Sequence, residues 1–137
     1  MIHDAMILTM DQIPSGTAQM KRYDGRTKHY FKSARLQQTE DFYLAELAKY
    51  RPVTPIEGPV SLDIDFDYFI KDKKKRGRWK TSRPDVDNVA KLLIDCMTKL
   101  GFWVDDAQIA RLRVSKHYAE GEQAQITISW REAVDDE

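Results

Sequence analysis

Residues 60–70 read VSLDIDFDYFI and alternate without a break. Val60, Leu62, Ile64, Phe66 and Tyr68 fall on one side, and Ser61, Asp63, Asp65 and Asp67 on the other. Successive side chains of a strand point to opposite faces, so this is a strand with one buried face and one wet face. A sheet built on such a strand takes its cover from one side only, and helices are the natural cover. Two segments qualify. Residues 34–50 follow Ser33, an N-cap residue, and carry Leu36, Phe42, Tyr43, Leu47 and Tyr50 as their apolar side. Residues 86–100 follow Pro84 and a pair of aspartates, and Gly101 suits the position just past their end. Residues 5–10, 110–118 and 123–130 read as further strands, with 119–122 as a hairpin turn between the last two. Residues 12–32 read as a loop or loose hairpin. The expectation is an α+β fold: one mixed sheet of about four strands with two main helices packed on it.

A chain of 137 residues, 42% hydrophobic, makes one domain with a real core, here residues 1–137 with an acidic flexible tail at 131–137. No apolar run approaches the ~20 residues that span a bilayer. The opening MIHDAMILTMDQ has acids and no basic region, unlike a signal peptide, so a cytoplasmic protein without membrane contact is expected. The single Cys96 excludes an intrachain disulfide and a cysteine metal cluster, and it falls at an apolar helical position. His3, His29 and His117 are scattered, with no spacing for zinc. No glycine-rich phosphate loop is present, so no nucleotide cofactor is expected.

The net charge is +0, but it is unevenly laid out. Residues 71–83, KDKKKRGRWKTSR, hold eight bases and one acid, a local charge of 8 − 1 = +7. Such a stripe is the footprint of a nucleic-acid partner even in a neutral chain. Lys73, Lys74, Lys75, Arg76, Arg78, Lys80 and Arg83, with Lys116, are the expected DNA contacts. Like charges without an apolar period predict that 71–80 is mobile without its partner. Trp79 inside the stripe suits either stacking on a base or packing against the sheet.

Acids crowd beside this stripe. Asp85 and Asp87 open the second helix, and Asp105-Asp106 follow it. With Asp87 at 0° on a helical wheel, Lys91 falls near about 40° and Asp95 near about 80°, one charged face. Each acid alone has an ordinary reading as a cap, a turn or a helix-surface pair. Together they are hard oxygen ligands suited to Mg²⁺ or Mn²⁺. Bare carboxylates repel a phosphodiester, whereas a divalent cation inverts the local charge and the basic stripe offsets what remains.

The run RPDVDNVAKLLIDCMTKLGFWVDDAQI, residues 83–109, resembles the RusA family of Holliday junction resolvases. It fits that family's Pro-Asp-x-Asp-Asn, helix, Asp-Asp-x-Gln pattern without an insertion, and SGTAQMKRYDGRTKHYF resembles its looser N-terminal half. The resemblance implies a homodimeric, Mg²⁺-dependent endonuclease (Mn²⁺ the alternative ion) that resolves four-way DNA junctions by paired nicks in recombination and repair. It places the metal ligands on Asp85, Asp87 and Asp106, selecting Asp106 over Asp105, and the essential lysine on Lys91. The basic insert at 71–80 is longer than the family pattern. Two other readings share these features: a non-catalytic nucleic-acid-binding dimer, and a metal nuclease acting on other branched DNA or RNA.

The second helix also bears on assembly. Its apolar arc from Leu92 to Ile94 is roughly 200° wide, and a helix on one sheet needs little more than ~100°. Ile94, Ala90 and Met97, nearest the charged face, are therefore expected to be covered by a twofold partner. From Asp87 to Leu100 the helix travels ~20 Å. The six steps on to Asp106 span at most ~20 Å. Asp106 can just return to its own Asp85 and Asp87, or reach the partner's, and both arrangements stay open.

Overall fold

The computed structural model describes residues 3–16 and 21–135; residues 17–20 of the expected loop and 136–137 of the expected tail lie outside it. The elements run β1 (His3–Met10), β2 (Lys21–Asp24), β3 (His29–Lys32), α1 (Ala34–Ala48), β4 (Val60–Tyr68), α2 (Val86–Lys99), β5 (Ile109–Tyr118) and β6 (Ala124–Glu132). The alternation of 60–70 is realised in β4. Leu62, Ile64 and Phe66 are fully buried, while Asp63, Asp65 and Asp67 line the half-open face. Neighbouring strands partner those acids: Asp65 accepts a hydrogen bond from Ser115, Asp63 lies opposite Arg113, and Asp67 is 3.9 Å from His117.

β4 is central in a four-stranded mixed sheet of order β1-β6-β4-β5, antiparallel to β6 and parallel to β5. Parallel neighbours need a crossover, and α2 supplies it. α1 packs beside α2, and both helices share one core with the inward residues of the sheet, from Met6 and Leu8 to Ile126, Ile128 and Trp130. Local chemistry sets the helix ends. Ser33 accepts a hydrogen bond from the Leu36 N–H. Gly101, at φ +82°, closes α2 with Gly101 N–H to Thr98 O and Phe102 N–H to Met97 O. Among the described residues no helix is long and apolar enough to cross a membrane.

Four local expectations change. The region read as a loop or loose hairpin holds the hairpin β2–β3, a separate two-stranded sheet. β5 and β6 do not pair with each other. β6 inserts between β1 and β4, because α2 has already placed β5 on one side of β4, and the other side's backbone groups need a partner. β6 runs on to Glu132, so Arg131 and Glu132 belong to the sheet and not to the tail. Finally, Ala90, Met97 and Ile94 are covered by the chain itself, with Ile94, the most open of them, only 9% exposed. The wide apolar arc of α2 faces both the sheet and α1.

Glu40 joins three elements. Its buried carboxylate accepts from Lys32 on β3 and from Lys99 at the end of α2. Burial pushes its carboxyl upward, but Lys32 and Lys99 more than offset this and hold it below the ordinary carboxylate value. A depressed pKa stabilises the fold above the unfolded-state value, and that contribution is lost as pH falls through the folded-state value. Glu40→Gln is therefore expected to lose about 1–2 kcal/mol at neutral pH, discounted because both lysines are substantially exposed. In urea titrations the gap between the two proteins should close in acid; a gap independent of pH would mean that packing, not charge, holds Glu40.

Candidate active site

The acids of the sequence motif divide between two places. At the N-terminus of α2, Asp85 is the N-cap residue yet makes no side-chain cap bond. Among the described residues neither the Asp85 nor the Asp87 carboxylate takes a hydrogen bond or ion pair. Asp87 opens onto a groove between α2 and β5 of about 550 Å³, whose polar rim is Asp87, Lys91, Asp95 and Asp106. Asp85 lines a different cavity, on the side of α1 and the basic stripe.

Asp106 sits at the other end of the groove. It accepts a hydrogen bond from Thr98, whose hydroxyl oxygen in turn accepts from the buried Trp103 Nε1 at 2.7 Å. From Asp87 to Thr98 is eleven residues, or ~16 Å along the helix. Asp95 lies next to Asp106, and its carboxyl is pushed above the ordinary value by burial and then by a hydrogen bond with Asp106, against the pull of Lys91. Asp105, by contrast, is committed: it caps a 3-10 turn at Asp106–Gln108, accepting from Ala107 N–H, while Gln108 accepts from the Val104 and Asp105 N–H groups and donates to Ile56 and Gly58 carbonyls. Gln108 thus fixes the segment that presents Asp106.

The donor chemistry fits a hard divalent cation: two uncommitted carboxylates in the first turn of α2, opening onto neighbouring cavities, and no imidazole or thiolate in the lining of either. The count does not close within one chain. Among the described residues no three His, Cys, Asp or Glu side chains come close enough together to hold an ion.

The basic stripe, expected to be mobile from its charge alone, makes local contacts along its length. Asp72 caps a turn at Lys73–Lys75, and Arg76 donates to the Ile70 carbonyl at 3.3 Å, pairs with Glu122 at 3.1 Å and lies over the Phe69 ring at 5.8 Å. Residues 77–80 then run along the open edge of β5, with Gly77 N–H to Tyr118 O, Tyr118 N–H to Arg78 O and Lys80 N–H to Lys116 O at 2.9–3.1 Å. Charge repulsion acts between side chains, and it does not stop the backbone from satisfying an edge strand. Lys73, Lys74, Lys75 and Arg78 remain exposed. Lys116 donates to the Ser82 and Pro84 carbonyls at 2.7 and 2.6 Å, so it clamps the segment leading to Asp85. Trp79 stacks one face on His117, with centroids 4.0 Å apart, and stays 68% exposed.

Residues 12–129 match the family described as Endodeoxyribonuclease RusA. The chain belongs to the RusA family. The crossover junction endodeoxyribonuclease rusA of Lactococcus phage r1t is 37% identical over 125 residues, 88% of this chain and 92% of that protein. The crossover junction endodeoxyribonuclease RusA of Shigella sonnei (strain Ss046) is 37% identical over 87 residues, 62% and 72% of the two chains. The uncharacterized protein YqaN of Bacillus subtilis (strain 168) is 35% identical over 98 residues, 63% and 68%. The RusA match spans everything from the β2–β3 hairpin to nearly the end of β6, so it includes the stripe, the acids and the groove. Sequence reasoning singled out neither Thr98 nor Trp103, and held Gln108 only as the last residue of the Asp-Asp-x-Gln pattern. Thr98 falls only about 20° from Asp87 on the helical wheel, and Asp105 with Gln108 has the spacing of a capping box, so two of the three had a readable signal.

Proposed function

We propose that this RusA-family chain is a divalent-metal-dependent endonuclease that resolves Holliday junctions as a homodimer, by paired nicks that serve recombination and repair in the cytoplasm. The observation that carries the reading is the split acidic set, with Asp85 and Asp87 uncommitted at one end of α2 and Asp106 at the other. A twofold partner laid antiparallel along the groove would bring the partner's Asp106 to Asp85 and Asp87. It would also cover Leu112 and Val86, which are 48% and 40% exposed. Two identical sites related by a twofold axis suit two matched nicks. The phage and Shigella relatives are both named crossover junction endodeoxyribonucleases, which supports the substrate class.

In this arrangement Asp85, Asp87 and the partner's Asp106 would hold Mg²⁺, with Mn²⁺ as the alternative. Such an ion supplies the positive charge that lets a phosphodiester approach three carboxylates and be attacked by water. Asp106 is oriented by Thr98, as outer partners orient metal-binding carboxylates. Lys91, one turn from Asp87 and without an ion pair among the described residues, would neutralise charge building on the phosphate. Lys73, Lys74, Lys75 and Arg78 would follow the DNA backbone, while Arg76 and Lys116 hold the stripe in place. The open face of Trp79, fixed by His117 behind it, suits stacking on an unpaired base at the crossover.

The test is a synthetic four-way junction, a linear duplex and a single strand, each incubated with Mg²⁺ and with EDTA. Symmetric nicks on the junction alone, absent in EDTA, are the expected result. A metal-independent gel shift without cutting would make the chain a binding module, and equal cutting of all three substrates would remove the junction from the assignment.

A further inference from the structure

The cavity on the α1 side of Asp85 extends beyond the metal role proposed for that residue and beyond the exposed part of the stripe. It measures about 680 Å³, and its polar lining comes from five separate parts of the chain: Ser15 after β1, Arg35 in the first turn of α1, Tyr68 at the end of β4, Lys80 and Arg83 on the stripe, and Asp85 and Asn88 at the start of α2. Three cations and one carboxylate therefore meet one space. None of the three cations has an ion pair among the described residues.

Lys80 is held in place. Its ammonium donates to Ser82 Oγ at 2.7 Å and lies over the rings of Tyr68 and Tyr118, 4.9 and 5.3 Å from their centroids. A surface lysine is ordinarily mobile, and this one has lost that freedom before any ligand arrives. The positive field is felt nearby: the Tyr118 hydroxyl is held below its ordinary value by its hydrogen bond with Ser82, then by Lys80, Lys75 and Lys116. Because Asp85 makes no side-chain cap, the first N–H groups of α2 add their partial charge to the same side.

We infer that this cavity is a phosphate subsite, in which Arg35 and Lys80 grip a backbone phosphate of the strand to be cut while Asp85, on its wall, faces the neighbouring scissile phosphate. This rests on the endonuclease reading and adds to it a grip from α1, outside the basic stripe. Arg35 supplies the planar fork that matches phosphate oxygens, and Lys80 a fixed point charge. Convergent, unpaired cations repel each other, and an anion between them removes that cost.

Two measurements test it. On a non-cutting Asp87→Asn background, Arg35→Gln and Lys80→Gln should each weaken junction binding roughly 10-fold to 100-fold, the range for a lost hydrogen bond to a charged group. Each should also lower the log–log salt slope by about 0.9, one phosphate contact. Arg51→Gln, an exposed arginine outside the cavity, should change neither. Separately, inorganic phosphate titrated against chloride at constant ionic strength should raise the melting temperature of the parent chain more than that of either variant. Unchanged slopes in both variants, or phosphate stabilisation undiminished by both, would overturn the subsite. Loss of phosphate stabilisation in the variants, in a protein that cuts no branched DNA, would keep the subsite as an anion site and remove the endonuclease reading instead.

Discussion

Asp85→Asn, Asp87→Asn and Asp106→Asn proteins are each expected to lose junction cleavage by ~10³-fold or more while still shifting the junction in a gel. A lost metal ligand removes several kcal/mol of transition-state stabilisation, and ~4 kcal/mol corresponds to ~10³-fold. Binding should survive because the cations proposed to meet the DNA are left intact, and one fewer carboxylate reduces repulsion. The split geometry then yields a sharper result. Mixing Asp106→Asn subunits with Asp85→Asn subunits pairs an intact Asp85 and Asp87 from one chain with an intact Asp106 from the other. Such a heterodimer should nick one strand of the junction and not the other. A dead heterodimer would return Asp106 to its own chain. Loss of binding together with cutting in all three single variants would make the acids supports of the fold.

Leu112→Glu is expected to give a folded monomer with cleavage near background. Leu112 faces the same side as Leu62 but lies on the outermost strand, so it is 48% exposed and contributes little to the chain's own core. A twofold interface uses it twice. Burial of one leucine is worth ~1.5–3 kcal/mol, so losing two, and forcing two carboxylates together, weakens the dimer by ~10³-fold or more. Sedimentation velocity reads the mass, and the junction assay reads the activity. Ile94 is the wrong residue for this test, since it is already inside the chain's own core and Ile94→Glu would unfold the protein. A Leu112→Glu protein that remains a fully active dimer would place the interface elsewhere.

Much of the architecture is legible in the sequence because it is local. Alternation fixes β4 and its wet face, Ser33 and Gly101 mark the helix ends, and the charged run marks the stripe. What is not legible is non-local. Nothing in residues 119–123 says that the chain steps past β4 and not into a hairpin. Backbone hydrogen bonds are blind to side-chain charge, so the eight lysines and arginines of the stripe could not reveal that 77–80 docks on β5. The apolar arc on α2 is wide because the helix packs against α1 as well as the sheet, and α1 is a neighbour that a helical wheel does not contain. At the site, motif spacing locates Asp85, Asp87 and Asp106 without their mutual distance. Arg35 carries no sequence signal at all, since it becomes a neighbour of Lys80 only through the packing of α1.

The docking of 77–80 on β5 has a consequence for solubility. A strand at the rim of a sheet offers a ready template for a second chain, and proteins blunt such rims with charge or with a covering segment. Here Arg78 and Lys80 do both over the last residues of β5, leaving bare only the stretch beside Leu112. The segment proposed to meet the DNA is thus also the guard of this rim of the sheet. Selection for weaker DNA contact through loss of these charges would be limited by the stickiness of the strand beneath them.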